Sequence, residues 1–385
     1  MYRKFKPSRI FNGLHFLEKG QVLICTEEGS IEDIIPESEG GDGIEQLDGI
    51  LSPGFINCHC HIELSHMRGR IPEHTGLVDF VQWVMKSRAA TTEEKLPAMQ
   101  AAIKELYDSG TVAVGDICNT ADSLALKIDS PLRWHNFMEV TGFIDSAAEK
   151  RVNDAWQLAA HFQSTQPGQV SLSPHAPYSV SKTMFGLLNE QLAGKITSIH
   201  NQETRDEDAL YQNKSGRFLE LYDNFGIDIS GFSPTGKSSF QSWFPYLDQP
   251  ITVLSVHNSC SSPADIVFAK DEIDTRGQQL YFCLCPNANL FIENKLPPVE
   301  MLQASGFPLV IGTDSYASNR QLNMMEEINC IRHNFPQISL ETILSWATRN
   351  GAKALGMDDQ YGTIEPGKKP GIVLISPEMQ AQRLI

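Results

Sequence analysis

Eight short apolar runs constrain this 385-residue chain more than any other feature. They are "LSPGFINCH" (51–59), "TVAVGDI" (111–117), "RWHNFMEVTGF" (133–143), "QVSLSPH" (169–175), "KITSIHN" (195–201), "ITVLSVHN" (251–258), "LYFCLCPN" (280–287) and "PLVIGTD" (308–314). Helical patterns such as "LVDFVQWVMKSR", "LPAMQAAIKELYDSG" and "RVNDAWQLAAHFQ" separate most of them. A strand alternating with a helix eight times predicts an α/β chain folded as a parallel (β/α)8 TIM barrel. Both chain ends read instead as short strands and turns, in "QVLICTEEGSIEDII" near the start and "YGTIEPGKKPGIVLIS" near the finish. The economical layout is a small β-sandwich built from both termini (1–52 and 359–385) beside a barrel over 53–358. The segment "FSPTGKSSFQSWFP" (232–245) is the expected mobile loop.

The polar residues fall where such a barrel does its chemistry. His59 and His61 close the first run, Asp116 the second, and Glu139 lies near the end of the third. His175, His200 and His257 close the fourth, fifth and sixth; Asn287 follows the seventh and Asp314 closes the eighth. Strand C-termini of a barrel share one open face, so these residues are expected at one mouth. His59 and His61, two apart on an extended strand, face the same way and can share an ion. By the same alternation Cys58 and Cys60 face the helical layer as small buried groups. Thiolate ligation by the C-x-C pairs is the competing reading, and strand geometry argues against it. With His200 and Asp314 the set mixes nitrogen and oxygen donors, which suits one divalent ion, zinc or else iron. Glu203, three residues past His200, is placed to carry protons, although "TRDED" also reads as an ordinary acidic loop.

Composition removes other classes. The formal net charge is −16 and no Lys/Arg run builds a basic groove, so nucleic acid is not an expected partner. No apolar stretch reaches the ~18 residues of a membrane span, and "MYRKFKPSRIFNG" lacks the apolar core of a signal peptide. The eight cysteines are scattered, which fits free thiols in a reducing cytoplasm. The expected partner is a small-molecule substrate; a homodimer is the one assembly kept open.

The motifs "PGFINCHCH", "SPHAPYS", "IHNQET", "VHNS", "CPNANL" and "IGTDSYASN", in this order, resemble the amidohydrolase superfamily, in its cytosine-deaminase-like and adenosylhomocysteine-deaminase-like branch. The resemblance implies that His59, His61, His200 and Asp314 hold one metal ion. It implies Glu203 as the acid/base, His257 as the residue that orients water or polarises the substrate, and His175 as a substrate contact. No lysine ends the fourth run, so a single ion is expected. The sequence departs from the branch in "IELSHMRG" after the H-x-H, in "HNSC", which lacks a second histidine, and in "KKPGIVLIS", which lacks an aspartate. The first departure is similar to the "HxELS" signature of aminodeoxyfutalosine deaminases. It makes Glu63, Arg68, Trp83, Arg88 and Glu139 candidates for contacting a ribose or its extension, against the ordinary readings of a capped turn, a surface cation and a core tryptophan.

The expected reaction is hydrolytic deamination of a purine- or pyrimidine-type base or nucleoside, aminodeoxyfutalosine among them, by metal-bound hydroxide, with Asp314 taking the water proton. Two alternatives stand beside it. One is hydrolysis of another bond on the same site, in a cyclic amide, a guanidine or a C–halogen compound. The other is a non-catalytic binding protein on the same barrel.

Overall fold

The computed structural model describes residues 2–165 and 168–385. Each apolar run contains a strand: β1 (Phe55–Cys60), β2 (Thr111–Cys118), β3 (Arg133–Val140), β4 (Gln169–Pro174), β5 (Ile196–Asn201), β6 (Thr252–His257), β7 (Gln279–Leu284) and β8 (Leu309–Ile311). β1 to β4 pair in parallel in one sheet, and β5 to β8 in a second. Backbone bonds join the sheets at both ends. The His200 amide donates to His175 O at 3.0 Å, and the Thr313 and Asp314 amides donate to His59 O at 3.1 and 3.0 Å. Every residue of β1, β2, β5 and β6 is buried. Burial on both faces is why these segments read as unbroken apolar runs and not as alternating ones.

The first run covers two strands. Ile50–Pro53 pairs antiparallel with Ile372–Ile375 in a separate sheet that also holds Arg9–Ile10 and Ala381–Arg383; β1 begins only after Gly54. Tyr2–Lys6, Gln21–Thr26, Ile31–Pro36 and Ile44–Gln46 form the other terminal sheet. Phe5, Leu23 and Cys25 of this sheet share a buried cluster with Ile10, Leu51 and Ile372 of its neighbour.

Two expectations need correction. The register of β1 against β2 shifts between Asn57 and Cys60. This bulge puts two consecutive residues, Cys58 and His59, on the inner side. Cys58 therefore packs with Val256 and Cys283 among the inward residues, whereas Cys60 packs outward against Met99 and Ala102 of the helix Thr92–Asp108. The segment 232–245 is also well anchored. Ser239–Trp243 is helical, the Ser239 amide donates to Asp208 Oδ1 at 2.7 Å, and Trp243 Nε1 donates to Asn201 Oδ1 at 2.8 Å.

Candidate active site

The C-terminal ends of β1, β5 and β8 gather four of the expected side chains around His61 Nε2. His61 Nε2 lies 3.1 Å from His59 Nε2 and 3.3 Å from His200 Nε2. Asp314 Oδ1 lies 3.4 Å from His61 Nε2 and 3.6 Å from His59 Nε2. Ligand atoms about 2.0–2.2 Å from a shared tetrahedral ion sit roughly 3.3–3.6 Å apart, so the spacing of His59, His61 and Asp314 fits one divalent ion, with His200 at similar range from His61. The electrostatics agree. Burial holds His59, His61 and His200 below the usual imidazole range, with neighbouring histidines adding to the effect, so their lone pairs are free. His200 Nδ1 faces the His175 carbonyl at 2.6 Å; a carbonyl only accepts, so Nδ1 carries the proton and Nε2 points to the cluster as an acceptor.

Local backbone makes this convergence possible. Gly312 passes so close to β1 that a Cβ there would lie 2.7 Å from His59 Cβ. Asp314 adopts φ 58°, and Ser318 Oγ donates to its Oδ2 at 2.5 Å, which leaves Oδ1 for the histidines. Burial works against the Asp314 charge, yet His61, His257 and Ser318 hold its carboxyl below the usual aspartate value. His257 ends β6 at φ 73°. Left-handed non-glycine residues cost free energy, and their concentration at one floor marks a site the rest of the fold over-determines.

Glu203 lies beside this cluster, its Oε2 3.4 Å from His257 Nε2. Burial, then the nearby Glu207 and Asp314, push its pKa well above the usual carboxylate range, which favours its protonated form.

Above the floor opens a cavity of about 610 Å³. Glu63, Arg88, Glu139 and His175 line it. Glu63 does not arrive by continued strand alternation: Ile62–Met67 is a 3-10 turn. Its carboxylate accepts from the Asn119 and Thr120 amides, each at 3.1 Å, and burial pushes its pKa up to about 7. Glu139 Oε2 accepts from Asn119 Nδ2 at 3.1 Å, while its buried Oε1 has no hydrogen-bond partner among the described residues. His175 Nδ1 meets Ser179 Oγ at 2.6 Å. Most of the wall is apolar. Leu77, Phe80, Val81, Val84 and Met85 form one face of the helix Leu77–Ser87, opposite Phe143, Ile144, Leu221, Tyr222 and Phe225.

Three expected residues lie elsewhere. Arg68 stacks over the Tyr316 ring and donates to Arg320 O at 2.8 Å, outside the cavity. Trp83 is 43% exposed, because its position on the helix Leu77–Ser87 falls off the cavity-facing stripe. Asp116 points away from the mouth: it pairs with the buried Lys127 at 2.5 Å and accepts from the Ile62 amide at 2.9 Å. Its strand neighbour Ile117 faces the cavity, so alternation sends Asp116 outward. Sequence reasoning passed over Asn119, Asn289, Ser318 and Glu207. Asn289 Nδ2 lies 3.2 Å from His257 Nδ1, and its one sequence signal was the "CPNANL" motif.

Known proteins resemble the chain over nearly its full length. An adenosine deaminase of Helicobacter pylori is 29% identical over 330 residues, 84% of this chain and 78% of that protein. A 5-methylthioadenosine/S-adenosylhomocysteine deaminase of Syntrophomonas wolfei is 27% identical over 383 residues, 94% of this chain and 81% of that protein. In structure, Helicobacter pylori aminofutalosine deaminase, solved with methylthio-coformycin, shares the fold with a TM-score of 0.82 at 23% identity, over 97% of this chain and 92% of that one. Residues 50–383 match the model of the amidohydrolase family, and with the floor just described the chain belongs to that family.

Proposed function

We propose that this protein is a metal-dependent aminohydrolase that removes the exocyclic amino group from an adenine-type nucleoside carrying an apolar extension on its sugar. The observation that carries the reading is the floor: three imidazole nitrogens and one carboxylate oxygen gathered around His61 Nε2, with the Glu203 carboxyl beside His257. We further infer that the two parallel sheets close into one eight-stranded barrel and that the terminal sheets form one sandwich.

His59, His61, His200 and Asp314 would hold the ion, zinc by its preference for such donors. When bound, the ion supplies activated water at neutral pH. The chain's own residues do the rest. Asp314, its Oδ2 fixed by Ser318, accepts the proton that water loses as it adds to the ring carbon. Glu203 gives its proton to the adjacent ring nitrogen, so charge does not build up on the ring. His257, steadied by Asn289, holds the oxygen being added. Proton return to the amino group lets ammonia leave, and an oxo group remains. Glu63 and Glu139 offer acceptors to sugar hydroxyls, and the apolar wall takes the extension.

The cavity volume, about 610 Å³, lies in the range of about 300–1,000 Å³ that houses whole small ligands, and it supports a nucleoside over a bare base. The activities named for the Helicobacter pylori and Syntrophomonas wolfei relatives support the adenine ring. The test is an ammonia-release screen of purine and pyrimidine bases, nucleosides and 5′-substituted nucleosides with metal-loaded protein. Release from 5′-substituted adenine nucleosides above all others is expected. Release confined to free bases, or turnover without ammonia, would overturn the reading.

A further inference from the structure

Glu207 is a fully buried carboxylate with an unusual set of partners. It is the third residue of the helix Arg205–Asn213, whose N-cap is Thr204. A carboxylate at that position ordinarily turns back to the N-cap amide, in the manner of a capping box. Glu207 reaches further. Its Oε1 accepts from the Glu203 amide at 2.8 Å, and its Oε2 accepts from the Gln202 amide at 2.9 Å and from Ser239 Oγ at 3.0 Å. Both amides lie before the helix. Gln202 is left-handed, at φ 47°, and its carbonyl accepts from the Cys260 amide at 2.9 Å. One carboxylate thus grips both amides of the bend that turns Glu203 toward His257.

Burying that group is expensive. No cation pairs with Glu207 among the described residues; burial pushes its pKa up to about 8, while the three donors, each favouring the acceptor carboxylate, work against that rise. An apolar side chain would fill the space at lower cost, so the carboxylate is explained by what it grips.

We infer that Glu207, completed by Ser239 from the 232–245 segment, is the positioning residue that fixes Glu203 for proton transfer. The inference rests on the proposed function, in which Glu203 is the acid/base. Glutamine at 207 keeps the shape but offers one acceptor oxygen to two diverging amides and turns a donor toward the other, which frees the bend. Displacement of a catalytic group by about 1 Å costs on the order of 10²-fold in rate.

The test measures kcat, KM and bound metal for Glu207→Gln, Ser239→Ala and Glu203→Gln on the best substrate from the ammonia screen. For Glu207→Gln, kcat should fall about 10- to 100-fold, with KM and metal content within about twofold of the parent. Ser239→Ala removes one donor to the clamp and should lower kcat about two- to fivefold in the same pattern. A Glu207→Gln protein with unchanged kcat, or one in which KM or metal content carries the loss, would overturn the inference. If Glu207→Gln does not fold, Ser239→Ala decides alone, and an unchanged kcat overturns the inference. Glu203→Gln separates the two levels. If it keeps the parental rate, the acid/base reading itself is wrong; if it loses rate while both clamp variants do not, only the clamp is wrong.

Discussion

The floor and the wall of the cavity are built on opposite plans. The floor sits on strand ends, and four of its groups are fixed from behind: His200 by the His175 carbonyl, Asp314 by Ser318, His257 by Asn289 and Glu203 by Glu207. The wall comes from one helix and several loop residues, and its side chains meet the cavity through apolar surface, with Met85, Ile144 and Phe225 39–49% exposed. Polar groups in a directed network have one workable geometry, whereas apolar surface tolerates many. On the proposed function, the floor sets the reaction and the wall sets which molecule undergoes it.

Substitutions should divide along that line. His61→Ala at the floor should release the ion and bring ammonia turnover to background, measured by elemental analysis and a coupled ammonia assay. An active, metal-free variant would remove the floor from the chemistry. Glu203→Gln should keep the ion and lose at least ~10²-fold in kcat, the usual scale of general acid–base catalysis. Loss of metal in that variant would make Glu203 a ligand and not a proton carrier.

Glu63 stands between the two regions and sharpens the comparison. Glu63→Ala deletes a buried acceptor, a loss of about 1.5–3 kcal/mol, which is roughly 10- to 150-fold in KM for nucleosides. Free bases should be much less affected and metal content unchanged; equal harm to both would place Glu63 in the support of the floor. Phe80→Ala, on the wall, should cost about 1 kcal/mol, roughly fivefold in kcat/KM, and only for substrates with an apolar 5′ group. The smallest effect is expected outside both regions. Arg68→Ala should leave kcat and KM within about twofold, as its guanidinium meets Tyr316, Arg320 and Glu105 outside the cavity.

The floor was legible in the sequence because each residue falls at the end of an apolar run, and run ends share one face in an alternating α/β chain. What stayed hidden is local backbone. The bulge that turns Cys58 inward leaves no mark in "FINCHCH", and nothing in a residue's type announces the left-handed turns at Gln202, His257 and Asp314. Glu63 reaches the cavity by a 3-10 turn, a local bend that "IELSHMRG" does not announce. Asp116 and Trp83 show the reverse: counting strand parity from Ile117, or helical period from Phe80 and Val84, would have sent both away from the mouth. The clamp at Glu207 went unseen because "ETRDED" reads as a solvated acidic loop until the Gln202 and Glu203 amides are found on its carboxylate.

The central claim is that the floor holds one ion and uses it to release ammonia. It is tested most directly by titrating zinc into chelator-stripped protein while measuring ammonia release from a 5′-substituted adenine nucleoside. The account predicts no release from stripped protein and a linear rise that levels off at about one ion per chain. Release that persists without metal, or a plateau reached only at two ions per chain, would contradict it.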